Sequence, residues 1–248
     1  MILIVGCHEQ NAKPVQIEWT ADAHHYQSIF GEEYYATGIF LSNQQDSIES
    51  RLWYYTSLAR PKVIYGYFTD GLLTGDWSFV LGDGRMTTSK WSSYHNCLTA
   101  CAFSLPFVVE ENTVDSIYFK LRTQNDSLGK ISIIVGVRKP FMKDENLAKF
   151  GPDAEIGLTQ QGYTFTSTRK EIKKGGVRYF FTEYFMKDSS NRDVKLYNLY
   201  GNSPSGKHFV EFTLFHSGPK EDLVKIIFNL MVTNLYVGSE RFYNPYEN

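Results

Sequence analysis

The residues best suited to chemistry are three cysteines, Cys7, Cys97 and Cys101, together with His95. His95, Cys97 and Cys101 lie within seven positions of one another, and imidazole and thiolate groups are common protein ligands of zinc. A structural zinc site needs a fourth protein ligand, commonly from a second pair of cysteines, and the sequence contains no second pair. The spacing therefore predicts no metal and no cofactor.

Cys97 and Cys101 have two alternative roles. In a reducing compartment we expect both thiols to be small residues of the core. In an exported protein the same two residues are candidates for a disulfide. Four residues of a β-strand span about 13 Å, which is too far for a disulfide, so pairing requires a turn or a helix between them. The sequence leaves both roles open.

Cys7 follows a short apolar run near the start of the chain. The tetrapeptide Ile4-Val5-Gly6-Cys7 resembles a bacterial lipobox, the motif that closes the signal peptide of a lipoprotein. The resemblance implies that Cys7 carries a lipid anchor and that residues 1–18 are a lipobox-like segment followed by a tether. A signal peptide also has a basic region and an apolar stretch of about 7–15 residues. Only residues 1–6 precede Cys7, so the resemblance implies that an upstream part of the signal peptide is missing from this sequence. The alternative is that the match is due to chance, with residues 2–5 forming a first β-strand and Cys7 a buried thiol.

The composition is that of a folded, β-rich protein. Apolar residues make up 42% of the 248 residues, which is enough for a sizeable core. The formal net charge of −2 argues against nucleic-acid binding, which favours a basic excess. Aromatic residues make up 16%, and they favour strands with partly exposed aromatic faces. No apolar run approaches the length that spans a bilayer, so we expect membrane contact only through a lipid on Cys7.

Residues 19–112 are predicted to form a β-rich region of aromatic hairpins. Part of this region resembles one unit of a MORN-type repeat, a β-hairpin built from aromatic residues and glycines. The resemblance covers roughly a tenth of the chain, and a true array needs several stacked units. It is carried by Tyr65-Gly66-Tyr67, Asp70-Gly71, Gly75-Asp76-Trp77 and Asp83-Gly84. The aromatic side chains predicted to form a binding surface, or alternatively to pack in the core, are Tyr65, Tyr67, Trp77, Phe79 and Trp91.

Residues 113–248 are predicted to form an α+β sandwich region, either as a second domain or continuous with the preceding region. A short helix is expected at residues 140–150, ending at Gly151-Pro152. Alternation of apolar and polar residues predicts antiparallel strands on either side of this helix. The predicted strands cover residues 114–122, 130–137, 163–172, 177–186, 194–200 and 208–216.

The last predicted element is a long C-terminal helix. Pro219 suits its first turn, and Glu221 and Asp222 suit the positive end of its dipole. An apolar stripe from Leu223 to Leu235 has helical spacing and is expected to pack on a sheet. The order of elements resembles the PsbP/Mog1-like α+β sandwich, in which a terminal helix covers an antiparallel sheet. The predicted fold class is therefore α+β and β-rich, with antiparallel sheets and a long C-terminal helix packed on the sheet.

The chain contains no sequence motif of a standard catalytic or nucleotide-binding site. The leading hypothesis is a non-enzymatic, lipid-anchored protein of the bacterial cell envelope that binds a protein or a glycan partner. One alternative is a cytoplasmic immunity or antitoxin-type protein that inhibits a cognate toxin, suggested by the MORN-like hairpin and the mild acidity. The other is an enzyme that acts on envelope polymers.

Overall fold

Two antiparallel β-sheets and two α-helices make up the described part of the chain in this computed structural model. The prediction of a β-rich α+β protein with antiparallel sheets is therefore confirmed. The residues that the structure describes are 16–19, 24–42, 49–57, 63–69, 72–80, 86–96, 99–106, 110–114, 118–125, 128–138 and 141–244.

The first sheet is built from consecutive hairpins in the N-terminal half of the chain. Each strand pairs antiparallel with its neighbour, and β2 pairs with β3 beside β1. The strands are β1 (Gln16–Trp19), β2 (His24–Gln27), β3 (Glu33–Ser42), β4 (Glu49–Ser57), β5 (Val63–Thr69), β6 (Leu72–Val80), β7 (Met86–Asn96) and β8 (Cys101–Leu105).

The second sheet has seven strands in the order β12-β13-β14-β15-β11-β10-β9. The six strands predicted for this half of the chain are all present, with ends shifted by a few residues. The elements are β9 (Glu110–Val114), β10 (Tyr118–Asn125), β11 (Gly129–Arg138), α1 (Asp144–Gln160), β12 (Thr164–Lys174), β13 (Val177–Lys187), β14 (Asp193–Asn202) and β15 (Phe209–Ser217).

The chain ends with α2 (Glu221–Thr233), β16 (Tyr236–Val237) and β17 (Glu240–Arg241). β16 pairs with β8, so the C-terminal strands complete a ten-stranded first sheet. Neither of the described helices is both long and apolar enough to cross a membrane.

The helix α1 is longer than the sequence predicted. It was expected to end at Gly151-Pro152, but it continues through Pro152 to Gln160. Pro152 has no backbone N–H to bond the carbonyl one turn earlier, which normally weakens a helix at that point. Leu147 and Leu158, on either side of the proline, are both buried against the second sheet. This packing holds the two halves of the helix together.

The C-terminal helix packs on the sheet as predicted, but it is short rather than long. It spans 13 residues and starts after Lys220, whose φ of 64° is left-handed, so Pro219 precedes the helix. It ends before Asn234 because the chain then turns to form β16. The apolar stripe is buried as predicted, and nearly every other residue from Leu223 to Thr233 is buried as well.

The two sheets and α2 share one hydrophobic core. Phe212 in β15 contacts Phe103 in β8, with ring centres 5.5 Å apart, and Phe228 in α2, at 5.8 Å. The turn between β2 and β3 also contacts the helix, because the backbone N–H of Ile29 donates to Asn229 Oδ1 at 2.8 Å. One face of the second sheet is therefore covered by α2 and by the first sheet.

Candidate binding edge and groove

The strand β12 is an edge of the second sheet. It pairs with β13 on one side, and no described strand pairs with its other side. Gly175 and Gly176 form the two-residue loop to β13, with φ angles of 55° and 76° that suit a type I′ turn. Such a loop closes on a hydrogen-bonded pair, here Lys174 and Val177. Backbone groups that point to the open edge therefore belong to the alternate residues Phe165, Ser167, Arg169, Glu171 and Lys173.

A groove of about 670 Å³ lies beside the N-terminal half of β12. It is formed where β12 to β15 extend past the start of α2. A partner strand paired with β12 would lie along its rim. The groove is lined by Thr164, Phe165, Thr166, Phe185, Met186, Lys187, Asp193, Val194, Lys195, His216, Gly218 and Glu221.

Phe185 and Lys195 form the most accessible part of the groove. Phe185 is 41% exposed, although it lies in a strand whose other aromatic residues are largely buried. The Lys195 ammonium lies over its ring, 3.3 Å from the ring centre. A cation held over an aromatic face is stabilised by the ring quadrupole. The pair therefore presents an aromatic and aliphatic surface to solvent.

The charges around the groove are arranged as close pairs. Lys187 Nζ lies 3.1 Å from Asp193 Oδ1, and Lys195 Nζ lies 3.5 Å from Glu221 Oε2. These ion pairs leave the groove itself with little net charge. The groove is therefore suited to an uncharged side chain.

His216 forms the buried end of the groove. It is 1% exposed, and its Nε2 lies 2.8 Å from the backbone carbonyl of Leu128. Donation from Nε2 to that carbonyl leaves Nδ1 as the acceptor, and Nδ1 has no hydrogen-bond partner among the described residues. His216 lies near the end of β15, and Val210, Phe212 and Leu214 on the same face of this strand are fully buried.

The sequence did not identify this groove. Phe185 lies in a run of aromatic residues, VRYFFTEYF, in which periodicity alone does not distinguish an exposed ring from buried ones. The sequence feature that indicates an uncovered end of the sheet is the length of α2 compared with the length of β13. A helix of 13 residues extends about 20 Å, whereas the 11 residues of β13 extend about 36 Å. The helix α2 is therefore too short to cover the strands along their full length by itself.

The structure places most of the predicted aromatic surface inside the first sheet's core. Trp77 and Phe79 are 0% exposed and Trp91 is 2% exposed, and the rings of Trp77 and Trp91 lie 6.5 Å apart. Tyr65 is partly buried, and the side chain of Tyr67 lies outside the described residues. The three buried rings therefore fit the alternative in which these aromatic side chains pack in the core.

Cys101 is buried and forms no disulfide with a described residue. Burial raises the pKa of this thiol to about 11, and a hydrogen bond with Thr99 partly opposes the shift. Cys7 and Cys97 lie outside the described residues, so lipid anchoring and the pairing of Cys97 with Cys101 stay sequence-based predictions. Within the described ranges, His, Cys, Asp and Glu form no group of three or more that is arranged to hold a metal ion.

No protein-family model and no curated protein matches the chain. The lipobox and MORN-type resemblances therefore also stay predictions from the sequence.

The chain is similar to several solved structures. The Ran-binding protein Mog1p of Saccharomyces cerevisiae is 11% identical with a TM-score of 0.43, over 60% of this chain and 96% of Mog1p. Cyanobacterial PsbP (CyanoP) from Synechocystis sp. PCC 6803 is 12% identical with a TM-score of 0.38, over 59% of this chain and 92% of CyanoP. PA94 from Pseudomonas aeruginosa, of unknown function, is 14% identical with a TM-score of 0.35, over 57% of this chain and 96% of PA94.

All three similarities have TM-scores below 0.5. At such TM-scores they carry no argument about function. The site is therefore argued from the described residues alone.

Proposed function

We propose that this chain is a binding protein that recognises an extended segment of a partner protein by adding it as a strand to β12. The observation that carries the proposal is the open side of β12, an 11-residue strand with no described neighbour there. Main-chain hydrogen bonds to such an edge give affinity, and pockets for alternate side chains give specificity.

The groove supports this mode of binding. Side chains of a strand alternate between the two faces of its sheet. Thr166 pairs with Phe185 in the sheet, and both line the groove. A partner residue opposite Thr166 would therefore lie beside Thr166 on the same face, in one row with Phe185, and a long apolar side chain would reach across Thr166 towards the exposed ring. The partner segment gains one buried side chain in addition to its main-chain hydrogen bonds.

A second copy of this chain fits the edge less well. If two β12 strands paired antiparallel over their full length, the basic residues 169–174 of each copy would lie beside the uncharged residues 164–168 of the other. The lysines would then meet no carboxylate across the strand pair, where opposite charges are favourable. The partner is therefore a different protein.

The proposal is tested with a displayed library of random peptides as long as β12, selected for binding to the full chain. Ser167→Pro removes a backbone N–H from the open edge without removing a ladder hydrogen bond, and edge strands tolerate proline. Ser167→Ala is the matched control, because both changes remove the hydroxyl that lies 3.3 Å from Glu155 Oε1. Selected peptides should bind the wild type and Ser167→Ala equally and lose at least about tenfold in affinity for Ser167→Pro.

Two results contradict the proposal. One is that no peptide is enriched, and the other is that enriched peptides bind Ser167→Pro as tightly as the wild type. Thermal unfolding shows whether the proline variant is folded. If it is not, peptide-induced protection of the edge amides in the wild type provides the same test. A dimer of the free protein that Ser167→Pro dissociates would identify the edge as a self-association surface instead.

Lipid anchoring at the bacterial envelope is a further part of the proposal, and it rests on the sequence of residues 4–7. Strand addition is equally compatible with an immunity or antitoxin-type inhibitor in the cytoplasm. The identity of the partner protein distinguishes these roles, and turnover of an envelope polymer would instead identify an enzyme.

A further inference from the structure

We infer that the partner segment has an acidic half and an uncharged, apolar half, and that the acidic half lies beside residues 169–174 of β12. This inference rests on the proposed strand addition. Its basis is the uneven distribution of charge along the strand.

The two halves of β12 differ sharply in charge. Residues 164–168 read TFTST and contain no charged side chain, whereas residues 169–174 read RKEIKK. The second half thus contains four cations and one anion, in a protein whose formal net charge is −2. The adjacent strand adds Arg178 beside the turn. A partner strand in either direction would meet this basic half with one of its own halves.

The arginines of this region already have acidic partners. Arg169 lies 2.6 Å from Glu155 of α1. Arg178 donates from Nε to Glu171 at 2.8 Å and also lies 3.2 Å from Asp144. The hydrogen bond from Arg178 is the main cause that lowers the pKa of Glu171. This carboxylate therefore stays ionised and is already paired with Arg178. The arginines are therefore largely neutralised by the fold.

The lysines carry the remaining positive charge. Lys173 is 74% exposed, and its Nζ is 3.9 Å from the Glu171 oxygen that already accepts from Arg178. Lys170 lies 5.4 Å from the centre of the Phe181 ring, and burial lowers the pKa of its ammonium. Glu183, near Lys170, is 3.0 Å from Lys225 of α2. This end of the strand therefore has more cations than the described carboxylates neutralise.

Lysines Lys170 and Lys174 lie on one face of the strand and Lys173 on the other, because side chains alternate. Acidic residues at successive positions of a partner strand would meet them on both faces, and opposite charges directly across a strand pair are favourable. Lysines on an edge also deter strands that lack acidic residues. The same side chains thus attract one class of segment and exclude others.

The uncharged half of β12 lies beside the groove. The charged side chains that line the groove form ion pairs within the protein, Lys187 with Asp193 and Lys195 with Glu221. An acidic residue placed here would compete with these pairs, whereas an apolar residue would contact the exposed Phe185 ring. The apolar half of the partner segment therefore belongs next to residues 164–168.

The closing experiment combines charge reversal with the peptides enriched on the wild-type chain. Lys173→Glu combined with Lys174→Glu reverses the basic half. Lys90→Glu combined with Lys130→Glu is the control, since both lysines are exposed and lie in β7 and β11, away from this edge, and the change in net charge is the same. Enriched peptides should carry acidic residues in one half. They should lose at least about tenfold in affinity for the reversed variant and bind the control unchanged. Added salt should weaken the wild-type complex.

The outcomes separate this inference from the proposed function. If enriched peptides lose affinity for Ser167→Pro but have no acidic half and bind the reversed variant normally, the inference is wrong and strand addition stands. If the peptides bind Ser167→Pro as well as the wild type, strand addition itself is wrong. If no peptide is enriched, the lysines serve to keep the edge unpaired, and both proposals fail.

Discussion

Lys195 holds its ammonium 3.3 Å from the centre of the Phe185 ring, at the accessible end of the groove beside β12. Phe185 is 41% exposed, so it is one of few large apolar side chains that solvent reaches in the described part of the chain. The pair joins two neighbouring strands, because Phe185 and Lys195 are direct partners in the β13–β14 register. They therefore lie at the protein surface rather than in the core.

Replacement of Phe185 should affect binding more than folding. Phe185→Ala removes an exposed ring and a cation–π contact worth about 0.5–1 kcal/mol, so we expect a small change in the free energy of unfolding. Affinity for enriched peptides should fall about tenfold, as for an aromatic anchor of an interface. Met86→Ala is the matched control, since Met86 is 65% exposed in the other sheet. Equal peptide affinity in the two variants would exclude the groove from the binding surface.

Gly66 in β5 should not tolerate a side chain. A Cβ atom at this position would clash with the ring of Trp77, which is fully buried. Gly66→Ala should therefore lower the free energy of unfolding by about 1–3 kcal/mol in urea titration. Gly157→Ala in α1 is the control. A Cβ there meets no atom within 4 Å, and alanine favours helix, so stability should be unchanged or up to about 1 kcal/mol higher. Equal stability of the two variants would show that Trp77 does not pack on Gly66.

Many of the strands could be predicted from the sequence because apolar and polar residues alternate along a strand that has one buried face. Trp77 and Phe79 are buried while Ser78 between them is partly exposed, so apolar and polar residues alternate along this strand as burial alternates. Pro152 inside α1 was not predictable. The local signal ends the helix there, whereas burial of Leu147 and Leu158 on one sheet depends on residues distant in the chain. The sequence also could not show that β12 is an edge strand, because the order of strands in a sheet depends on pairing between residues that are distant in the chain.

The thiol of Cys101 should be unreactive in the folded protein. Its pKa of about 11, against an ordinary value of 9.0, means that almost none is ionised near pH 8, and burial also blocks access. Alkylation by iodoacetamide, located by peptide mass spectrometry, should label Cys101 only after unfolding in urea. Because the unfolded thiol ionises at lower pH than the folded one, this group should also lower the free energy of unfolding as the pH rises above 9. Rapid labelling of Cys101 in the native protein would contradict the buried placement.

Lipid attachment at Cys7 is tested on the product of the full gene in its native host. If the lipobox resemblance is correct, the wild type should carry a lipid-sized mass increment and partition into detergent. Cys7→Ser should lose both properties. Soluble, unmodified wild-type protein would remove the envelope anchor and favour the cytoplasmic inhibitor hypothesis.

The most direct test of strand addition is amide hydrogen exchange of the wild-type chain with and without an enriched peptide. The register predicts that the peptide protects the outward amides of Ser167, Arg169 and Glu171, which face the open edge of β12. The amides of Thr168 and Lys170 already bond β13, so their exchange should change less. Alternating protection along β12 would establish the added strand. Unchanged exchange at the three outward amides in a saturated complex would contradict it.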